Sequence, residues 1–344
     1  MRILIDIKHP AHVHFFKNFI NIMRNKGHQI LVCARDKDMT LYLLKKERIP
    51  YIKISSIGNS KLNLIKELIT RNFRFYRIAK KFKPSILMGL MGITIAPVGK
   101  LLNIPSLVFS DTENAKLSNF IAYHLCTNFI TPNCFEKKMW KKNIRYNGYH
   151  ELTYLHPNHF IPNESVLKEF GVQKNEKFTI IRFVSWGASH DIGHKGISEK
   201  MKIKAIEEFS KYGKVLVTSE KELPKKLDKY RIKVSQEKIH HLIKYATLLY
   251  GESATMASEA AILGTYAIFL DNKGRGYTND QEKRFELVFN YSEKMEDQKN
   301  SINKGIEILV NNKAKIEAIK KSAKLLEETI DVTNFIVKTT LNYL

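Results

Sequence analysis

The stretch Tyr250-Gly-Glu-Ser-Ala-Thr-Met-Ala-Ser-Glu-Ala-Ala-Ile-Leu-Gly264 reads as the end of a strand, a tight turn and a helix of small residues. The apolar run before it ends at Gly251, which permits a sharp turn, and Ser253 is a favourable N-cap for the alanine-rich segment. The first amides of a helix have no intrahelical partner and lie at the positive end of its dipole. The stretch therefore predicts an anion site, to which Ser253 and Thr255 add hydroxyl donors.

Glu259 lies one turn beyond Thr255 on the same face of this predicted helix. A carboxylate at that position could accept hydrogen bonds from the two hydroxyls of a ribose, while a diphosphate fits the first turn. The alternative is an N-capped helix of an α/β sheet, in which the alanines only permit close packing. The stretch alone leaves both interpretations open.

Length and composition indicate two soluble domains. A chain of 344 residues with 44% hydrophobic residues can bury two cores. The three cysteines, Cys33, Cys126 and Cys134, show neither metal-ligand spacing nor an even disulfide set, so we expect a reducing, cytoplasmic environment. No signal peptide and no run of about 20 apolar residues is evident in the sequence.

Short apolar runs alternate with longer helical patterns along the whole chain, which predicts parallel, doubly wound sheets. The pattern lapses at residues 148–166, which are rich in Gly, Pro, His and Asn. We therefore predict an α/β protein with a first domain at residues 1–155 and a second at residues 156–344. The predicted strands are residues 3–7, 30–34, 52–54, 86–88, 106–109, 178–184, 215–218, 248–250 and 267–270.

The positive charge belongs mainly to the first half of the chain. Formal net charge is +23, and residues 1–155 carry 26 Lys and Arg against 9 Asp and Glu, while the remainder carries 31 against 25. The positive charge is most concentrated in a predicted amphipathic helix at residues 61–83. This helix either lies on an anionic membrane, or it covers a sheet with one face and exposes the other to solvent. On the membrane interpretation the contacts come from Arg71, Arg74, Arg77, Lys80 and Lys81.

The loop after the first strand is rich in histidine. His9, His12 and His14 lie where a catalytic base could meet a substrate hydroxyl, because loops after the strands of doubly wound sheets face the ligand. The loop lacks the G-x-G-x-x-G fingerprint, which argues against an NAD enzyme. A zinc site is the competing interpretation, but three ligands would crowd one loop and no Cys or carboxylate partner is obvious.

Two further loops follow predicted strands. Asp111 and Glu113 are acids that could orient a base or bind sugar hydroxyls, although Asp111 could equally be an N-cap. Residues 185–196 combine small residues with hydroxyls, so their backbone can approach a phosphate. A third pattern, Asp36-Lys-Asp38, matches the D-x-D motif by which some enzymes hold a metal and a nucleotide diphosphate, but three-residue matches have low specificity.

Together these residues resemble the GT-B superfamily, which includes MurG-like glycosyltransferases and the hydrolysing UDP-N-acetylglucosamine 2-epimerases. The segment Glu113-Asn114-Ala115 is similar to the acceptor-loop pattern of the MurG-like branch. Over nearly its full length the chain resembles an uncharacterised bacterial and archaeal family of this superfamily, a domain of unknown function. The resembling segments are residues 6–16, 182–191 and 251–256 with 259–261.

The resemblance implies a GT-B-like fold of two tandem, doubly wound Rossmann-like domains that face a central cleft. It implies a nucleotide-sugar donor in the second domain, an acceptor in the first and neither a metal nor another cofactor. His14 is then the base, with Asp111 or Glu113 assisting, and His12 lies near the acceptor. The donor residues implied are Ser185, Gly187, Ser189, His190, Gly251, Ser253, Thr255, Met256 and Glu259.

The function that follows is sugar transfer, most readily from a UDP-linked donor, to a surface-polysaccharide or glycolipid acceptor at the inner membrane face. A hydrolysing UDP-sugar 2-epimerase is the alternative, because it would use the same donor site. The first loop has neither the glycine-rich form of MurG nor the Gly-x-Arg-Pro form of the epimerases, so both chemistries remain open. A nucleic-acid binder is disfavoured, since no recognised binding motif accompanies the charge.

Overall fold

The computed structural model describes residues 1–58, 61–137, 142–184, 196–219, 223–235 and 237–343. It divides into two units, of which the first contains Met1–His159 with Ile330–Leu344 and the second contains Phe160–Thr329. Among these residues, each unit contains one parallel β-sheet, with seven strands in the first and five in the second. The predicted α/β class with two doubly wound sheets is therefore confirmed.

The first sheet has the strand order β3-β2-β1-β4-β5-β6-β7, and all its neighbouring strands are parallel. The chain runs outward from β1 to β3 on one side and then crosses to β4 on the other. Such a reversal is a topological switch point, where ligands of doubly wound sheets bind. The strands are β1 (Arg2–Ile7), β2 (Gln29–Asp36), β3 (Tyr51–Ser56), β4 (Ile86–Leu90), β5 (Ser106–Phe109), β6 (Asn128–Pro132) and β7 (Asn143–Tyr146).

The helices of this unit cover a sheet whose interior strand β1 is buried along almost its whole length. Residues Ile3–Ile7 of β1 are buried without the alternation of a half-exposed strand, as expected where helices cover both faces. Phe75 and Ala79 pack into the same core as Leu4 and Phe129. The helices are α1 (Pro10–Asn25), α2 (Thr40–Lys46), α3 (Lys61–Phe82), α4 (Ile95–Leu102), α5 (Lys116–Leu125) and α6 (Leu152–Leu155).

The second sheet has the order β12-β11-β10-β8-β9, again with every neighbouring pair parallel. The chain passes from β8 to β9 and then crosses to β10 on the other side of β8, so the switch point of this unit lies between β8 and β10. The strands are β8 (Phe178–Phe183), β9 (Lys214–Ser219), β10 (Leu248–Gly251), β11 (Tyr266–Leu270) and β12 (Val288–Tyr291).

Small residues allow one helix of the second unit to approach its sheet closely. Ala257, Ala260 and Ala261 are fully buried on the helix that follows β10. The helices are α7 (Val166–Glu169), α8 (Glu199–Phe209), a short 3-10 helix (Lys225–Tyr230), α9 (Ile239–Tyr245), α10 (Ala254–Ile262), α11 (Gly276–Phe285), α12 (Met295–Val310) and α13 (Ala314–Glu327).

The last helix, α14 (Val332–Leu341), belongs to the first unit. The second domain therefore does not extend to residue 344 as predicted. Thr333 Oγ1 donates to the Thr153 carbonyl at 2.8 Å, and the Ile330 amide donates to the Asn147 carbonyl at 2.9 Å. Val332 and Ile336 are fully buried. Which sheet receives the apolar face of this helix depends on long-range packing, which the local sequence does not specify.

Candidate functional site

The start of α10 lies at the switch point of the second unit. Gly251 has φ +148°, and a Cβ at this position would lie 2.0 Å from the Arg182 carbonyl oxygen, so only glycine fits. Ser253 is the N-cap, and its side chain accepts the Met256 amide at 3.4 Å. Residues 253–256 are half-buried, whereas α10 is buried from Ala257 onward. The accessible part of the helix is therefore its first turn, where its positive dipole end lies.

Glu252 holds the ends of the loop after β8 beside this turn. Its Oε2 accepts the Val184 amide at 3.0 Å, its Oε1 accepts the Ile197 amide at 2.6 Å, and Lys202 Nζ lies 3.7 Å from Oε2. The sequence predicts that the loop after β8 and the turn between β10 and α10 both approach phosphate. Glu252 thus connects the two, because it lies in the turn and binds both ends of the loop. The predicted donor residues Ser185, Gly187, Ser189 and His190 lie outside the described residues.

Glu259, the predicted ribose ligand, is buried on α10 and paired with a histidine. His240 Nε2 lies 2.9 Å from Glu259 Oε1, and both side chains are almost completely buried. His240 belongs to α9, the helix that precedes β10. Sequence reasoning missed His240, because a histidine 19 residues before a glutamate carries no local signal of contact.

His12 and His14 both lie on α1 and are both buried. His12 Nδ1 accepts the Lys8 amide at 3.4 Å. Burial, followed by the positive charge of Lys8, lowers the pKa of His12 well below its usual value, so its imidazole is neutral near pH 7. The ring of His14 packs against Tyr154 with 5.3 Å between ring centroids. Both histidines are thus held in the interior of the first unit.

Asp111 lies after β5 and contacts a histidine that the sequence interpretation did not identify. His150 Nδ1 is 2.9 Å from Asp111 Oδ2. Burial raises the pKa of Asp111, but the charge of His150 and hydrogen bonds from His150 and Thr112 outweigh it and hold that pKa below its usual value. His150 Nε2 is buried with no hydrogen-bond partner among the described residues. His150 follows β7, a strand that was not predicted, so its position beside β5 was not foreseeable.

Glu113, the second predicted acid of this loop, connects two loops of the first unit. It is buried, and its Oε1 accepts the Glu136 amide at 3.3 Å. Its main-chain carbonyl accepts Lys137 Nζ at 2.9 Å. Asp111 and Glu113 therefore have different partners, although they are two residues apart.

The predicted membrane contacts on α3 separate into one buried and four exposed residues. Arg71 is only 3% exposed and donates to the Asp6 carboxylate in a buried ion pair, so its assignment to the surface set is corrected. The reason is that α3 packs this side of its basic stripe against the end of β1. The exposed members are Arg74, Arg77, Lys80 and Lys81.

An exposed apolar stripe runs along the same helix. Leu62, Ile65, Ile69 and Phe73 are 79%, 58%, 66% and 60% exposed. Their spacing of three or four residues places them on one helical face. The guanidinium of Arg77 lies over the Phe73 ring, 6.0 Å from its centroid. α3 therefore has a second apolar face besides the one that packs on the sheet.

The D-x-D pattern forms salt bridges. Lys53 Nζ lies 2.5 Å from Asp36, and Lys37 Nζ lies 3.7 Å from Asp38. Within the described ranges, no group of three or more His, Cys, Asp or Glu side chains could hold a metal ion. A search of those same residues finds no helix long and apolar enough to cross a membrane.

Comparisons with known proteins agree with this architecture. A family model described as "Protein of unknown function (DUF354)" matches residues 1–344. The uncharacterized protein MJ0665 of Methanocaldococcus jannaschii is 22% identical over 270 residues, covering 76% of this chain and 79% of that protein.

Solved structures with the same fold are GT-B glycosyltransferases and UDP-GlcNAc 2-epimerases. The UDP-GlcNAc 2-epimerase of Neisseria meningitidis bound to UDP-GlcNAc is 12% identical with a TM-score of 0.67, covering 99% of this chain and 100% of that one. The spinosyn rhamnosyltransferase SpnG complexed with thymidine diphosphate is 13% identical with a TM-score of 0.65 and the same coverage. At these identities the likeness establishes the fold.

Proposed function

The chain belongs to the DUF354 family, and we propose that it is a nucleotide-sugar enzyme that binds a UDP-linked donor in its second unit and transfers the sugar to an acceptor. The observation that carries this proposal is the open first turn of α10 at the switch point between β8 and β10. Doubly wound sheets bind ligands at such points, and helix N-termini favour diphosphates. The fold is shared with enzymes that were solved with UDP-GlcNAc and thymidine diphosphate.

Each donor contact follows from a position on this turn. Gly251 lets the end of β10 lie close to the Arg182 carbonyl of β8, and the amides of the first turn have no intrahelical acceptor. Ser253, Thr255 and Met256 then bind the diphosphate, and Glu259 accepts the ribose hydroxyls. The developing charge on the leaving diphosphate is stabilised by the helix dipole and its N–H donors, and we propose that no metal or other cofactor is needed.

Calorimetry with UDP tests the donor site. Glu259→Ala should weaken UDP binding by about 1–3 kcal/mol, the scale of losing hydrogen bonds to a charged group. Glu207→Ala, an exposed glutamate of α8 in the same unit, is the matched control and should leave affinity unchanged. Failure of every nucleoside diphosphate to bind the wild-type protein, or an unchanged affinity in folded Glu259→Ala, would refute the site.

For the chemical step we propose His14 as the base that deprotonates the acceptor hydroxyl, with Asp111 or Glu113 assisting. His14 lies on the helix after β1, next to the switch point of the first sheet, and it precedes Phe15, whose ring contacts His150 with 4.8 Å between centroids. Asp111 pairs with that same histidine. Phe15 thus connects α1 to the Asp111–His150 pair, and this connection supports the proposal.

Turnover experiments separate transfer from the alternative, hydrolytic 2-epimerisation, which is favoured by the epimerases among the structural neighbours. The protein is incubated with UDP-, GDP-, CMP- and dTDP-sugars, with and without membrane lipid extract. A transferase should release little nucleotide without acceptor, and His14→Ala should lower turnover by about 10²–10⁴-fold with nearly unchanged UDP affinity. UDP release together with a free, C2-inverted sugar in the absence of lipid would establish epimerisation instead.

We further propose that the acceptor is a surface-polysaccharide precursor or glycolipid reached at the inner face of an anionic membrane. The support is the exposed stripe of α3, Leu62, Ile65, Ile69 and Phe73, which adjoins the exposed cations. Apolar area and basic charge together favour anionic bilayers, and each cation near the surface contributes about 1 kcal/mol.

Co-sedimentation with phosphatidylglycerol vesicles tests this surface. Replacing Arg74, Arg77, Lys80 and Lys81 with Gln should abolish most binding, and salt should weaken binding of the wild type. The matched control replaces four exposed lysines of the second unit and removes the same charge: Lys225, Lys226, Lys299 and Lys320. Equal loss in both variants would mean that net charge, and not α3, drives the association.

A further inference from the structure

The buried contact between His240 and Glu259 joins two helices of the second unit that flank β10. Nε2 of His240 lies 2.9 Å from Oε1 of Glu259, and the relative exposures of the two side chains are 7% and 6%. A carboxylate can accept about four hydrogen bonds through its two oxygens. The contact with the imidazole therefore restricts the orientation of the carboxylate.

The imidazole of His240 is itself held in place. Phe160 meets it edge-on, with 6.3 Å between ring centroids and an interplanar angle of 90°. Phe160 also stacks on the neighbouring His241 at 4.8 Å, and His241 Nδ1 accepts the Asn163 amide at 3.0 Å. The segment that opens the second unit thus fixes the helix end that presents His240.

We propose that His240 is a positioning residue that orients Glu259 for the ribose hydroxyls and thereby makes the site selective for ribonucleotides over 2′-deoxyribonucleotides. This inference rests on the proposed donor site. A carboxylate held by a fixed donor keeps a defined orientation toward a ligand, whereas a freely rotating one gains less from each hydrogen bond. Selectivity, and not affinity in general, is therefore the property that His240 controls.

The experiment measures Kd for UDP and for 2′-deoxy-UDP by calorimetry in the full-length protein. The wild type should bind UDP about 10- to 100-fold more tightly than 2′-deoxy-UDP, the range for a hydrogen bond to a charged group. His240→Gln places an amide N–H near the Nε2 position and should keep this ratio. His240→Asn is equally polar but too short, so its ratio should fall to within about 3-fold, through weaker UDP binding alone. Glu207→Ala, at an exposed position of α8, is the control and should keep the wild-type ratio.

The outcomes distinguish this inference from the proposed function. If the wild type binds UDP and 2′-deoxy-UDP equally, or if His240→Asn weakens both by the same factor, the positioning role is wrong while the nucleotide site stands. If the wild type binds neither, the donor site itself is wrong. Thermal unfolding of each variant shows whether it folds, and if His240→Asn does not, an unchanged ratio in His240→Ala also overturns the proposal.

Discussion

Replacing Glu252 by glutamine should destabilise the second unit more than any other isosteric change near the candidate site. The carboxylate accepts one backbone amide from each end of the loop after β8, Val184 at 3.0 Å and Ile197 at 2.6 Å. Its side chain is 0% exposed. Water therefore cannot replace either bond when the carboxylate is altered.

The magnitude follows from these two bonds. In Glu252→Gln one oxygen becomes an NH₂ group, so one of the two backbone donors faces another donor and is left unsatisfied, which costs about 1–3 kcal/mol. The remaining bond loses its charge assistance, which removes about 1 kcal/mol more. A total of about 2–4 kcal/mol corresponds to a fall in Tm of about 4–16 °C for a unit of 150–250 residues.

Differential scanning calorimetry and hydrogen exchange measure the two parts of this prediction. The unfolding transition of the second unit should move down, and the amides of Val184 and Ile197 should exchange faster than those of β9. Glu207→Gln makes the same chemical change at an exposed site of α8 and should alter neither. A Tm within about 1 °C of wild type with both amides still protected would refute the reasoning.

Three further predictions concern the first unit. Asp6→Asn should cost about 3–5 kcal/mol in urea unfolding, because it leaves the buried Arg71 guanidinium uncompensated, and Asp6→Leu combined with Arg71→Met should recover most of that loss. The pKa of the Asp111 carboxyl is lowered in the folded state, so its contribution to stability is present above about pH 4 and is lost as pH falls below that value. In Asp111→Asn, the free energy of unfolding measured between pH 2 and pH 5 should therefore depend less on pH than in the wild type. The pKa of His12 is lowered, so nitrogen-15 NMR should show a neutral ring with no titration near pH 6.5, and a midpoint at that pH would contradict its burial.

The order of strands and helices could be predicted because the signals are local. The apolar run that forms β1 and the amphipathic pattern that forms α3 directly predicted a strand and a helix. In the same way, Gly251 predicted the turn before α10 and Ser253 predicted its N-cap. Strands β6, β7 and β12 were missed, because each is only four or five residues long and has little apolar periodicity to distinguish it from a loop.

The partners of the site residues were decided only by the tertiary structure. Asp111 pairs with His150, a partner that the sequence did not indicate, because β7 lies two strands from β5 in the sheet and brings the following loop alongside. Arg71 and Arg74 are both arginines of the same basic segment, and the sequence does not distinguish them. The position of Arg71 on α3 directs its side chain into the interior, where it pairs with Asp6.

The sequence by itself therefore determined the local secondary structure, the turn and N-cap of α10 and the two parallel sheets. Tertiary structure decided which of those residues meet, as His240 meets Glu259 across 19 positions and α14 returns to the first unit. The physical reason is range: turns, caps and periodicity are set by neighbours within a few residues, whereas contacts depend on strand order and on which apolar faces pack together.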